Sequence, residues 1–412
     1  MTKVIQQDPG TRAHRRKSLR RRRVFRRGFV LVLIAALAAG ATFVVARKAI
    51  HKRTPAAGAS AEPQNTVLVA MTSHGDASGQ ASALTLFGVG RNGKNPVTLF
   101  LPVGTLAPIP GAEDFDLIGK ALASGQQGLQ QITVENLLGI DVDRIISIDD
   151  VSLGVFIDRL GGIDVNVEEK LYTTQRDGTR TLAFQLGNHH MNGAAAITYL
   201  TYQDPNSTEL DSFVRAQKVW DGIFAAASNG GKLSNAVASF SPEQVAAEDG
   251  AWFASIVRAF AASSPGDRTY EVLPGQQVGA GGPDISYQVD DAKVADLVRN
   301  DFAGSVPYGV TIGSRAKVEL RNGVGTPELG QRAATLLVPA GLRIEVTGNA
   351  PRFNYRSTKI VIYSDDAAGL ALGQEIRNLL GVGTVEVGTR AQGIVDVTVV
   401  LGKDFSDKIK GR

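Results

Sequence analysis

The sequence predicts an α/β protein: a single N-terminal transmembrane helix, an extracytoplasmic α/β body, then a small α/β C-terminal domain. Three observations predict it. A strongly basic block precedes a long uncharged apolar run. Strand-like and helix-like segments alternate from Thr66 onwards. A strand, loop, helix, strand pattern occurs twice near the C-terminal end.

The basic block is residues 1–27, with eleven Lys and Arg against one acid, Asp8. Gly28 to Ala46, GFVLVLIAALAAGATFVVA, then runs nineteen residues without a charge. At about 1.5 Å per residue this gives about 28 Å of helix, close to one bilayer core. Only Arg47, Lys48, Lys52 and Arg53 follow. That asymmetry puts the N-terminus in the cytoplasm and the bulk outside, in the cell membrane as a single-pass protein. A cleaved signal peptide is the rival, but the run is long for one and ATFVVARKA lacks a small-residue cleavage pattern.

The whole chain of 412 residues carries 44 Lys and Arg against 40 acids, net +4. Residues 54–412 alone hold 29 basic and 39 acidic groups, net −10, which leaves the outer part no nucleic-acid footprint. The tail reads as a membrane and topology anchor, with a polyanion such as DNA or RNA as its alternative partner. There is no cysteine, so disulfides and thiol chemistry are excluded.

A Pro/Ala/Gly/Ser linker covers the end of 47–65. TVLVAM (66–71), ALTLFGV (83–89) and VTLFLPV (97–103) read as strands, with an Asn-Gly turn in RNGKN (91–95). ITVENLLGI (132–140) reads as a short helix opened by Thr133, and RIISIDD (144–150) as a strand. VSLGVFIDRLGGIDVNV (151–167) reads as helix, Gly-Gly stop and strand. GAAAITYLTY (193–202), LDSFVRAQKVWDGIFAAA (210–227) and AWFASIVRAFAAS (251–263) are helical by period. A first domain therefore spans 66–303, a linker 304–315, and a second domain 316–405. In the second, 317–346 and 359–387 repeat the pattern, each with LGQ in its helix, and DVTVVLG (396–402) closes it. Helices between strands imply crossovers and a partly parallel sheet. Thr326 and Pro327 are the expected N-cap and first residue of the first of these helices.

RLGGIDVNV (159–167), FQLGNHHMNGAAAITYL (184–200), TVENLLGIDVDRIISID (133–149) and YEVLPGQQVGAGGPDISYQVDD (270–291) together resemble the LytR-CpsA-Psr family over about 66–303. The second domain resembles the LytR C-terminal domain of actinobacterial members. The resemblance implies an α/β sandwich with a deep apolar slot for a polyprenyl lipid. It also implies transfer of a lipid-linked glycopolymer to peptidoglycan, with arginines on the pyrophosphate and carboxylates on a magnesium ion. Guanidinium forks suit a pyrophosphate, and a hard metal suits oxygen ligands.

The residues that would do this are largely replaced. Where the family has an Asp and, two residues on, an Arg, this chain has Thr72 and His74. Its Arg-x-Asp falls on Ala81 and Ala83, and the Arg and Asp after a Pro fall on Val103 and Gly104. Further arginines fall on Thr201 and Gln203. In the last motif, Asp-x-x-Arg-x-x-Arg-Gln, Glu209, Ser212, Arg215 and Ala216 stand. Arg215 and Glu209 are the residual phosphate-binding candidates; no catalytic residue and no metal ligand is assigned.

Each candidate has a structural reading beside it. Arg215 suits an ion pair with Asp211 at i−4 on a helix surface. Asp164 suits a strand-edge acid that holds local backbone, and Gly161 and Gly162 a helix stop. Asp76, Asp114 and Asp116 fall in solvated loops. His74, His189 and His190 lack a zinc spacing. RNGVGTPELG (321–330) lacks the third Gly of a dinucleotide fingerprint and the Lys of a P-loop.

The expected function is a membrane-anchored cell-envelope protein with a non-catalytic domain, a pseudoenzyme that takes part in cell wall biogenesis. Its expected partners are the membrane, a polyprenyl lipid, a cell-wall glycopolymer or an active homologue, with no cofactor. Two readings stand beside it. One is an active phosphotransferase using Arg215, Glu209 and magnesium. The other is an envelope-linked transcriptional regulator acting through the basic tail.

Overall fold

The computed structural model describes residues 62–411, apart from 175–178, 204–207, 229–230, 242–244, 280–284 and 390–392. The basic tail and the apolar run at 28–46 lie outside the described residues. Among the described residues no helix is long and apolar enough to cross a membrane.

β1 (Gln64–Thr72), β2 (Ala83–Gly90) and β3 (Val97–Leu101) form an antiparallel meander. The expected Asn-Gly turn joins β2 to β3, with Gly93 at φ 74°. The short pair β4 (Leu106–Pro108) and β5 (Phe115–Leu117) leads through a 3-10 segment into α1 (Gln127–Leu138). β6 (Arg144–Asp149) returns to lie parallel to β1. α2 (Asp150–Leu160) starts where the Asp149 carboxylate accepts from Ser152 N at 2.6 Å, and stops at Gly161 and Gly162, φ 96° and 87°. β7 (Ile163–Val167) follows as expected.

β8 (Leu171–Thr174) and β9 (Arg180–Phe184) make a hairpin, and β10 (Gly187–Met191) pairs back on β7. Four helices come next: α3 (Gly193–Leu200), α4 (Glu209–Ala227), α5 (Gly231–Val237) and α6 (Ala247–Ala262). β11 (Thr269–Val272) then joins β3 in parallel, which completes a sheet in the order β11-β3-β2-β1-β6. The ribbon of β12 (Gly275–Val278) and β13 (Ser286–Val289) leads to α7 (Asp291–Asp301).

This sheet is buried on both faces, which is why its strands read as near-continuous apolar runs. Along β1, Val67, Val69 and Met71 enter one core while Leu68 and Ala70 enter the other. Phe87 and Leu86 divide the same way on β2. The first core packs the sheet against α2 to α6. Rings dominate it: Phe87 meets Trp220 edge-on at 4.7 Å, and Phe224 stacks on Phe260 at 4.5 Å. Such pairs add roughly 0.5–1.5 kcal/mol each beyond their area. The second core packs the sheet against α1 and α7.

The C-terminal part follows the expected repeat. β14 (Lys317–Asn322), α8 (Leu329–Leu337) and β15 (Arg343–Asn349) form one unit, and β16 (Lys359–Ile362), α9 (Ala367–Leu380) and β17 (Thr384–Val387) the other. β18 (Val397–Leu401) lies between them, parallel to β14 and antiparallel to β16. A last helix, α10 (Lys403–Lys410), buries Phe405. One boundary differs from expectation. α8 begins after Glu328, at φ 61°, so Thr326 and Pro327 precede the helix rather than cap it. Asn322 holds that loop instead, donating to Thr326 O and accepting from Val324 N and Gly325 N.

Ala56–Gly411 group as one compact unit, so the two expected domains pack as joined lobes. α1 is the junction. It starts at Gln127, and Thr133 sits mid-helix with its hydroxyl on Leu129 O, which corrects the expected start. Ile132 enters the C-terminal core. Asn136, buried, bonds both main-chain groups of Ile344, donating to its O and accepting from its N at 2.8 Å each. Thr347 Oγ1 donates to Ala112 O at 2.6 Å.

Asn136→Ala strands two buried main-chain groups of β15, each at a cost of about 1–3 kcal/mol. Urea unfolding is expected to show a loss of roughly 2 kcal/mol or more; a loss below about 0.5 kcal/mol is the size of a surface change and contradicts this account of the junction.

Candidate functional site

The strand register gathers most of the sequence-predicted positions at one end of the main sheet. Met71, just before Thr72, pairs with Ala83, Leu84 pairs with Leu101, and Thr72 pairs with Asp149. Val103 and Gly104 follow directly on β3. Ala81 N donates to Gly119 O at 2.9 Å, and Gly119 N donates to Val103 O at 3.1 Å. A Cβ on Gly119 would lie 3.0 Å from both Val103 Cβ and Ala81 O, so a bare α-carbon lets these three segments close together.

α4 begins over this end. Thr208 and Asp211 form a capping box, with the Asp211 carboxylate accepting from Thr208 N at 2.7 Å. That fixes the first turn and directs Glu209 back at the sheet. Its carboxylate accepts from Val103 N at 2.7 Å and from Gly104 N at 3.4 Å. The second bond is long and weaker. Burial pushes the Glu209 carboxyl up, against the two amides that pull it down. One turn on, Phe213 stacks on Phe100 at 5.2 Å, and the Tyr270 ring lies near-parallel to Phe100 at 6.5 Å.

Arg215 belongs to the same helix but not to its surface. It is 5% exposed. Its Nη2 donates to Tyr202 O at 2.6 Å, its Nη1 to Asp211 O at 3.2 Å, and its guanidinium lies 5.3 Å from the centre of the Tyr202 ring. The expected surface ion pair is therefore replaced by main-chain carbonyls, because the Asp211 carboxylate is already the cap. Thr201 and Gln203 are exposed beside Tyr202, and Ser212 Oγ donates to Glu209 O at 2.5 Å. His74 is exposed, with its N on Asp150 Oδ1 at 2.9 Å.

The other two histidines lie on β10, away from His74 in the chain's pairing scheme. His190 Nδ1 is 2.8 Å from Asp164 Oδ1, and its Nε2 is 3.1 Å from Gly161 O. Asp164 thus holds a side chain across the β7–β10 ribbon, rather than local backbone. An open concavity of about 540 Å³ runs along β9 and β10, past Phe184, Leu186, His189 and His190. It includes none of the aligned clamp and carboxylate positions, although most of its lining falls in the 184–200 segment that carries the resemblance. Asp116 is held by Lys120 at 2.7 Å, and among the described residues no group of three His, Asp or Glu is placed to hold a metal.

Residues 48–242 match the model of the LytR_cpsA_psr family, and residues 315–405 match that of LytR_C, described as LytR cell envelope-related transcriptional attenuator. The two matched segments together take in more than half of the chain. The chain carries a LytR-CpsA-Psr domain match over residues 48–242, followed by a LytR_C match over residues 315–405. Its relatives include the polyisoprenyl-teichoic acid–peptidoglycan teichoic acid transferase TagU of Bacillus anthracis, 28% identical over 164 residues, 39% of this chain and 52% of that protein. TagU of Enterococcus faecalis is 29% identical over 167 residues, 39% of this chain and 53% of that one. The probable cell wall biosynthesis protein LcpB of Corynebacterium glutamicum is 26% identical over 162 residues, 39% of this chain and 38% of that protein. The chain spans about half the length of the TagU relatives it matches. Among solved structures, Bacillus subtilis TagV superposes with a TM-score of 0.48 at 16% identity, covering 59% of this chain and 98% of that one. TagT with bound octaprenyl pyrophosphate lipid gives 0.45 at 19%, covering 62% and 95%.

The positions aligned by resemblance meet at one sheet end through the register of β1, β2, β3 and β6. Sequence reasoning missed what fills that end. The donors to Glu209 are main-chain amides, which any residue but Pro supplies, so no side-chain pattern marks them.

The raised Glu209 carboxyl carries a sign. It favours the protonated form in the folded state, so its contribution is full in acid and is lost as pH rises through the raised value. Glu209→Gln keeps the shape and cannot ionise. The melting temperature of the variant relative to the wild type is expected to climb from acid to neutral pH and then level off. Paired thermal melts from about pH 3.5 to about pH 8 check it; a flat or falling difference is the contrary result.

Proposed function

We propose that this chain is a membrane-anchored, non-transferring member of its family that works in cell-envelope assembly by binding a cell-wall glycopolymer or a transferring homologue. The anchor is the apolar run at 28–46, with the basic tail in the cytoplasm and the described residues outside. One observation carries the reading: the Val103 and Gly104 amides, at the positions aligned with a family Arg and Asp, are taken by the Glu209 carboxylate of the same chain.

Further observations support it. Arg215, the one remaining arginine of the aligned clamp, is buried with Nη1 and Nη2 on two carbonyls, while its Nε has no partner among the described residues. An isolated guanidinium already committed to carbonyls cannot replace several forks around a pyrophosphate. The rings of Tyr270, Phe100 and Phe213 pack in the interior beside Glu209.

The magnesium ion of the resemblance does not suit these residues. The aligned carboxylate positions hold Thr72, Ala83, Gly104 and Glu209, and the last is used by the amides. The names of the TagU relatives describe transferases, so the active enzyme is the alternative outcome of the test.

Full-length protein, with a polyprenyl-pyrophosphate-linked glycopolymer, peptidoglycan and magnesium, is expected to release no polyprenyl phosphate above the protein-free rate, and to retain glycopolymer in co-sedimentation. Release that Arg215→Ala abolishes would overturn the proposal.

A further inference from the structure

A cleft of about 120 Å³ lies where α1 and α7 meet the segment before β14 and the start of β15. That is room for about four waters. Arg315, Lys317 and Arg343 line it, with Asp291 as the lining acid and aliphatic side chains of α1 and α7 as its wall. Glu345 stands beside the cluster.

The acids belong to two of the three cations. Arg343 Nη1 is 2.9 Å from Asp291 Oδ2, and its Nε is 2.8 Å from Glu345 Oε2. Lys317 Nζ is 3.6 Å from Glu345 Oε1, a loose pair. Arg315 has no carboxylate. Its Nη2 donates to Asn136 O at 2.8 Å and Leu137 O at 3.5 Å, the last turn of α1, where a cation complements the helix carbonyls. Its Nη1 is shut off from solvent and has no partner among the described residues. Buried donors are almost always satisfied, so an orphan on a guanidinium points to something the protein atoms do not supply.

Three cations against two acids leave one positive charge, and it falls on the best buried of the three. Burial, and then the neighbouring Arg343 charge, lower the Arg315 pKa to about 10, the mark of a cation short of counter-charge. Cations outnumber acids and the space is small, although Glu345 Oε2, 2.8 Å from Arg343 Nε, makes no well-formed hydrogen bond.

We propose that this cleft binds a small tetrahedral oxyanion, of which inorganic phosphate is the type, held by Arg315, Lys317 and Arg343. The three cations come from the linker, β14 and β15, while Arg315 also holds the end of α1. An anion there ties the two lobes together at the junction that Asn136 already makes. This site is independent of Glu209 and of the function proposed above.

The test titrates full-length protein with sodium phosphate at constant ionic strength, balanced by sodium chloride, and follows the melting temperature. A saturable rise is expected for the wild type. Lys317→Met, at a side chain 42% exposed, should fold normally and need at least about tenfold more phosphate. Arg315→Gln should abolish the rise. Lys359→Met, on β16 and paired with Glu386, should titrate as the wild type does. Broadening of the phosphorus resonance of phosphate by the protein, lost in Lys317→Met, is the direct readout. No saturable rise in the wild type, or a Lys317→Met titration matching Lys359→Met, overturns the proposal, whether or not Arg315→Gln folds.

Discussion

The burial of both faces of the five-stranded sheet is the constraint from which the rest follows. Once β1, β2, β3 and β6 must hide every side chain, their residues divide alternately between two cores, as Val67 and Leu68 do. The helices are then sorted to two sides: α2 to α6 on the face of Phe87, α1 and α7 on the face of Leu86. The buried polar side chains inside these strands are small hydroxyls, Thr66, Thr85 and Thr98, and the candidate polar positions lie where strands end. Thr72, Ala83, Val103 and Gly104 lie at such an end because the register of β1, β2 and β3 brings them there.

At that end the chain meets an electrostatic requirement in an unusual way. Two main-chain amides converge after β3, and converging amides form a natural anion seat. The seat is filled from within by Glu209, aimed by the capping box that starts α4. The same helix turns Phe213 onto Phe100 and Arg215 onto Tyr202. A phosphate headgroup arriving there would have to displace a carboxylate and would find few cationic forks to compensate for the loss.

The lobe junction shows the reverse imbalance. α1 is enclosed by the C-terminal core on one side and the second core of the main sheet on the other, so its polar residues are buried. Asn136 meets that demand by acting as a surrogate strand neighbour for Ile344, and Gln131 by donating to Val142 O at 2.6 Å. Arg315 meets it only in part, since two carbonyls satisfy one end of a guanidinium and leave the other facing no acceptor. One end of the protein therefore carries a carboxylate that has taken an anion's place, and the junction carries cations still short of one.

The sequence by itself determined the α/β class, the strands of the main sheet, the Gly161–Gly162 stop and the doubled strand, helix, strand unit, because these rest on local periodicity and on residues with special backbone freedom. It also determined which residue types occupy the family positions, and so made Val103 and Gly104 conspicuous. It misplaced the start of α1 at Thr133 and of α8 at Thr326, since both starts are set by what the helix packs against and by the Asn322 loop. It offered Arg215 as a phosphate ligand or a surface ion pair, where the docking of α4 against the turn after α3 buries it on Tyr202 O. The tertiary structure alone decided the link from Glu209 to residues 103 and 104 and the gathering of Arg315, Lys317 and Arg343 around one cleft. Both depend on main-chain groups or on side chains far apart in sequence, and neither leaves a local pattern to read.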